Sequence, residues 1–317
     1  MILNRRHLRV KVLQVLYAWE QTEGATLEAA LKELDLSIQK VYDLYLTYLS
    51  LLAEIPAAGN RRIEELKNKR IPDPDEEKAY GNFLTNPVLN ALSVNLVLRK
   101  ACEQRKINWV GNQDILKNLL QEIRKGPYFD LLSSGGSFTF EQFVESTSHV
   151  FIDHIANSEW LQNELEERSI FWVNDMDLVC AMVVKTIKEC SENSDEYKNI
   201  LLPLYKDAEE DSVFIKELLK KTIIRTTEVN EVIDNNTDNW DLERIALMDR
   251  LIMRMAIVEV MEFSSIPVKV TLNEYIDISK FYSTPKSNTF INGVLDKAFA
   301  ELKRQNKINK TGRGLVE

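Results

Sequence analysis

Apolar residues recur along this chain at intervals of three and four, the period of α-helices that bury one face. Leu8, Val12, Val15, Leu16 and Trp19 form such a stripe and predict a helix from about residue 4 to about residue 20. After Gly24 a longer pattern begins near Thr26 and passes through Leu27, Leu34, Val41, Tyr45, Tyr48 and Leu52, with Pro56 as its expected end. Four of the eight prolines then fall among charged residues between Pro56 and Pro87, which predicts a break or linker. Helical patterns resume at roughly 88–107, 112–125, 138–168 and 174–190, and again at roughly 208–235, 241–263, 268–282 and 286–304. In the last group, Asn235–Asn239 reads as a loop and cap, Pro267 suits a first helical turn, and Thr284-Pro285 reads as an N-cap followed by proline. The whole chain reads as all-α.

Composition narrows the picture further. Ten glycines and eight prolines in 317 residues are about half the usual share, too few for the frequent turns of a β-sandwich, barrel or propeller. No strand-like run leads into Gly135-Gly136 or Gly312-Arg313-Gly314, so a nucleotide-binding glycine loop is not expected. Cys102, Cys180 and Cys190 are odd in number and lack CxxC spacing, which argues for a reducing compartment and against a zinc site. Lys11 and Gln14 interrupt the first apolar stretch, so it fails as a signal peptide, and a cytoplasmic location without membrane association is expected. No HExxH, GxSxG or Cys-His set occurs, and His149 and His154, five apart, do not share a helical face. The expectation is a protein that is not an enzyme and carries no cofactor or metal.

The net charge of −9 conceals a strong asymmetry. Arg5, Arg6, Arg9 and Lys11 occur without an acid in residues 1–11, and a second acid-free basic run, Lys303 to Arg313, lies near the other end. Eight acids gather between Glu189 and Asp211. Positive charge in a first helical turn opposes the macrodipole, and arginine's planar fork suits phosphate, so the first turn reads as an RNA or phosphate site or as a solvated basic helix start. The helix beginning at Pro285 offers a second acid-free N-terminus, with Lys286, Ser287, Asn288 and Thr289 as possible donors. Phe290 could stack on an unpaired base or fill the core with Val294 and Ala298. Gly293, inside this helix, suggests the close approach of another backbone or a ligand. Asp249 has no opposite charge three or four residues away, and Arg250 and Arg254 are a like-charged pair, so partners must come from elsewhere in the fold or from another protein.

Two stretches together resemble the NusB family of bacterial transcription antitermination factors. The first is Arg5-Arg6-His7-Leu8-Arg9 with Leu13-Gln14-Val15-Leu16-Tyr17-Ala18-Trp19-Glu20. The second runs from Asp249-Arg250 and Arg254–Glu259 through Ile266–Glu274 and Lys280 to Phe290–Lys297. The resemblance implies two packed helical bundles of NusB-like type with an extra helical insertion: N-terminal helices in 1–56, an inserted region in 57–205, a C-terminal bundle in 206–306 and a basic flexible tail in 307–317. It implies pairing with the ribosomal protein NusE, binding of single-stranded boxA-type RNA, and assembly into the RNA polymerase antitermination complex, in rRNA transcription. By position it assigns RNA contacts to Arg5, Arg6, Arg9, Lys286, Asn288, Thr289 and Phe290, and the NusE surface to Tyr17, Glu243 and Asp249. His7 stands where the basic motif often has another arginine, and Lys286 where an acid is common. Readings of other classes are a helical protein-interaction scaffold without RNA binding, and a NusB-like domain protein related to rRNA methyltransferases.

Overall fold

A computed structural model of the 317-residue chain describes residues 1–71, 73–192, 195–237 and 244–315. The described residues contain helices and no strand, in keeping with the all-α expectation. The chain divides into two compact units, one of Met1, Leu3–Ile38 and Tyr205 onward, the other of Ile2 and Gln39–Leu204. No helix among the described residues is long and apolar enough to cross a membrane.

The terminal unit holds α1 (Arg5–Gln21), the first turns of α2 (Leu27–Lys67), α11 (Ala208–Ile224), α12 (Thr226–Asn235), α13 (Leu247–Glu262), α14 (Val268–Tyr282) and α15 (Pro285–Arg304). Its centre is α13, where every residue from Leu251 to Val260 is buried. A helix buried on all sides needs neighbours on all sides, and α1, α11, α12, α14 and α15 supply them. The stripe Ile291, Val294, Leu295, Ala298, Phe299 and Leu302 turns α15 inward. Against expectation, Arg225 divides 208–235 into two helices, and Pro267 is the extended residue before α14 rather than part of its first turn. Residues 307–315 are not a loose tail: Lys310 Nζ donates to the Phe263 carbonyl at 2.9 Å and Thr311 N–H to the Ser264 carbonyl at 3.0 Å. A Cβ at Gly314 would lie 1.9 Å from that Ser264 oxygen, so only glycine fits.

The central unit holds the rest of α2, then α3 (Pro74–Phe83), α4 (Pro87–Val94), α5 (Leu96–Gln104), α6 (Gln113–Arg124), α7 (Pro127–Ser133), α8 (Phe140–Phe151), α9 (Glu159–Arg168) and α10 (Met176–Lys188). The expected end of α2 at Pro56 is corrected, because the helix continues to Lys67. A proline removes one backbone hydrogen bond, but Leu52, Ile55 and Ala58 around it are buried and hold the helix together. The expected linker likewise contains a helix. Pro74 and Pro87 sit at first helical positions, where the missing N–H costs nothing. The expected boundary at residue 56 thus lies inside α2, and the compact units part at 38/39. Asn95 separates α4 from α5, and a five-residue π-helical turn at Ile152–Ala156 follows α8. Tyr45 anchors the unit: its hydroxyl lies 2.6 Å from Thr186 Oγ1 and accepts from Leu202 N–H at 3.1 Å.

Candidate nucleic-acid interface

The start of α1 is fixed by a reciprocal cap. Asn4 Oδ1 accepts from the backbone N–H groups of Arg6 and His7 at 2.9 and 3.0 Å, and His7 Nδ1 accepts from Asn4 N–H at 3.3 Å. Burial, followed by the positive charges of Arg6 and Lys11, lowers the pKa of His7 and favours the neutral ring that this cap requires. An arginine could not accept that hydrogen bond.

The three arginines that follow are engaged by carboxylates distant in sequence. Arg5 donates to Asp211 Oδ1 at 2.6 Å and Glu210 Oε1 at 2.8 Å, with its guanidinium 4.3 Å from the centre of the Phe214 ring. Arg6 is held in a fork by Glu274 at 2.9 and 3.0 Å and meets Asp277 at 2.8 Å. The side chains of Arg5 and Arg6 remain 33% and 41% exposed. Arg9 differs. It makes two 2.7 Å hydrogen bonds to Glu259, both residues are buried, and Thr271 Oγ1 and Tyr275 hydroxyl donate to the same carboxylate at 2.8 and 3.0 Å. The assignment of Arg9 as an RNA contact is therefore corrected: its fork is occupied inside the core. The acid-free first turn of the sequence is acid-rich in space, supplied by α11, α13 and α14.

At the start of α15, Thr284 is extended and Pro285 is the first helical residue, with no acid in the first turn. Thr284 Oγ1 makes no hydrogen bond to the helix backbone and instead lies 2.8 Å from Ser287 Oγ. Lys286 and Thr289 are exposed, Asn288 and Phe290 partly so, and Ser287 is buried. Phe290 lies at the margin of the buried stripe, since the inward position is Ile291. Gly293 has open space where a Cβ would stand, so among the described residues no other backbone makes the expected close approach. Phe281 is 83% exposed in the last turn of α14. Its apolar character marks it as core in a sequence, and only its place just outside the α14 stripe of Thr271, Tyr275 and Ile278 exposes it.

Of the residues assigned to a protein partner, Tyr17 is 42% exposed on α1. Asp249 is buried in the first turn of α13 and accepts from Ser283 Oγ, so its placement on an open partner surface is corrected. Its missing helical mate is replaced by that hydroxyl and by the positive end of the helix dipole. Glu243 lies outside the described residues. Arg254 finds its partners within the fold, pairing with Glu20 and donating to Asn230 Oδ1 at 2.7 Å.

The NusB family model matches residues 176–300. That match opens at Met176, the first residue of α10, upstream of the C-terminal bundle expected to begin at 206. Three curated relatives are each named transcription antitermination protein NusB. The Salinibacter ruber protein is 45% identical over 103 residues, covering 32% of this chain and 64% of the relative. The Chloroherpeton thalassium protein is 40% identical over 104 residues, 33% of this chain and 49% of the relative. The Thermodesulfovibrio yellowstonii protein is 34% identical over 125 residues, 38% of this chain and 83% of the relative. The matches to the first two thus span less than two thirds of those relatives. No solved structure matches. With a relative 34% identical and matched over 83% of its own length, and with the family model matching within the same chain, this chain belongs to the NusB family.

Proposed function

We propose that this protein is a non-catalytic transcription antitermination factor that binds boxA-type single-stranded RNA together with a NusE-type ribosomal protein, within the RNA polymerase antitermination complex and in rRNA transcription. The observation that carries this reading is the identity to proteins named transcription antitermination protein NusB, including one matched over 83% of its length. On this reading RNA lies along Arg5, Arg6, Lys286, Asn288, Thr289 and Phe290. Arg5 and Arg6 present fixed, partly exposed guanidinium groups, and the start of α15 offers an acid-free N-terminus with exposed Lys286. Tyr17 and Glu243 belong to the NusE surface. Helices α3–α9, outside the family match, are an addition to the family unit.

The test is a titration of boxA-type RNA with and without the NusE-type protein at several salt concentrations. About three phosphate contacts to single-stranded RNA give a slope of log K against log salt of about −2. A flat salt response, or affinity unchanged by joint replacement of Arg5, Arg6 and Lys286 with alanine, overturns the RNA assignment. The engagement of all three arginines by carboxylates favours a second reading, an interaction scaffold without RNA binding. Binding of the ribosomal protein with no RNA affinity would select it.

A further inference from the structure

The central unit carries a concentration of positive charge that the function proposed above does not use. It surrounds a cleft of about 380 Å³ between the C-terminal half of α2 and helices α3 and α6. Arg61, Arg62 and Lys117 line it, together with the neutral donors Gln113, Gln121 and Tyr80. Beside it Glu76, a buried carboxylate in the first turn of α3, gathers three cations. Arg62 Nη2 and Arg124 Nη1 lie 3.0 and 3.1 Å from the same oxygen, Oε1, and Lys69 Nζ lies 3.6 Å from Oε2. One carboxylate neutralises one charge, so the two guanidinium groups drawn to a single oxygen repel each other unless a further anion is near. Glu65 supplies part of it through a 3.2 Å contact with Arg62, and Asp114 also lines the cleft. Among the residues that line the cleft, the cations Arg61, Arg62 and Lys117 outnumber the acids Glu65 and Asp114 by three to two, in a chain whose net charge is −9. Arg61 and Lys117 are exposed and make no ion pair among the described residues.

From this geometry we infer that the α2–α3–α6 cleft is a binding site for the phosphate group of a nucleotide. Arg61 and Lys117 are the unpaired donors to the phosphate, and Arg62, engaged by Glu65 and Glu76, is a positioning residue in the cleft wall. Arginine's fork makes two parallel hydrogen bonds to phosphate oxygens, and a cleft of this volume lies in the range that encloses a small ligand. The phosphate could belong to a free mononucleotide or to an RNA strand, two sources of one chemistry that the test separates.

The 317-residue protein is titrated calorimetrically with sodium phosphate, adenosine, AMP and a short oligouridine RNA. AMP is expected to bind saturably and with salt sensitivity, adenosine not to bind, and phosphate to compete with AMP. The double variant Arg61→Ala/Lys117→Ala, at exposed positions without ion pairs, should keep the wild-type melting temperature and lose AMP affinity at least about tenfold. Lys117→Glu alone should weaken AMP to a similar degree. If the double variant loses AMP binding but keeps RNA binding, the ligand is the free mononucleotide; if it also loses part of the RNA affinity, the cleft holds a strand. Absence of saturable AMP and RNA binding, equal binding of adenosine and AMP, or unchanged affinity of both variants for AMP and RNA overturns the site. Because AMP is read at the central unit, failure here is distinct from failure of the Arg5, Arg6 and Lys286 variants to affect boxA-type RNA.

Discussion

Arg9 and Glu259, separated by 250 positions in the chain, face each other across two parallel hydrogen bonds of 2.7 Å in the core of the terminal unit. Burial alone would push the arginine toward neutrality, but the carboxylate more than offsets this and raises its pKa. Thr271 and Tyr275 complete the carboxylate's hydrogen bonding, so α1, α13 and α14 are tied at one point. Removing either partner leaves a buried charge uncompensated. Arg9→Ala or Glu259→Ala should therefore cost about 3–5 kcal/mol in denaturant unfolding. A cost below about 1 kcal/mol would show that Arg9 is not a structural residue.

Gly293 tests the open face of α15. Nothing stands within 4 Å of a Cβ placed there, and glycine within a helix costs about 1 kcal/mol relative to alanine. Gly293→Ala is expected to stabilise the fold by about that amount. If RNA approaches this face closely, the same variant binds boxA-type RNA more weakly even as its melting temperature rises.

Phe290 separates stability from binding. It is only partly buried beside a stripe already filled by Ile291, Val294 and Leu295. Phe290→Ala should therefore cost clearly less than the roughly 3–5 kcal/mol of a fully buried phenylalanine, while stacking on a base would be lost at about 1–3 kcal/mol of RNA affinity. A large drop in melting temperature with unchanged affinity of the folded fraction would place Phe290 in the core.

Asp249 and Tyr17 should now behave differently from one another. Asp249→Arg forces a cation into a buried position at the positive end of α13 and is expected to destabilise the fold by several kcal/mol, on the order of 3 or more. Tyr17→Ala, at an exposed position, should leave the melting temperature within a few degrees and weaken binding of the NusE-type protein. Titration of the purified pair checks the second outcome.

His7 predicts a pH dependence of definite sign. Its pKa in the fold is lowered from 6.5, so the unfolded chain takes up the proton first as pH falls. The contribution of His7 is present above about pH 6.5 and is lost as pH falls below it, when the protonated ring can no longer accept from Asn4 N–H. His154, also lowered by burial, adds a slope of the same sign. Replacement of His7 with glutamine should flatten the acid limb of a stability profile while leaving the His154 part. An unchanged profile would remove His7 from the cap.

The sequence by itself determined the helical character of the chain, the inward face of α1 and the central place of α13, because each follows from local periodicity. Leu8, Val12, Val15 and Leu16 are buried as their spacing requires, and so are Leu251, Ile252 and Met255. Family membership was legible for the same reason, since ordered runs of residues survive without reference to geometry. Tertiary structure alone decided what the charged residues do. Arg5, Arg6 and Arg9 form one basic edge on a helical wheel, yet Asp211, Glu274 and Glu259 give them three different environments from three other helices. Asp249 lacks a mate at helical spacing and finds Ser283 instead. Pro56, a stop signal in the sequence, lies within a 41-residue helix because the residues around it are buried. Periodicity reports which face of a helix is apolar and carries no information on which distant carboxylate will meet it. Coulomb and hydrogen-bond energies depend on distances that only the packed chain sets.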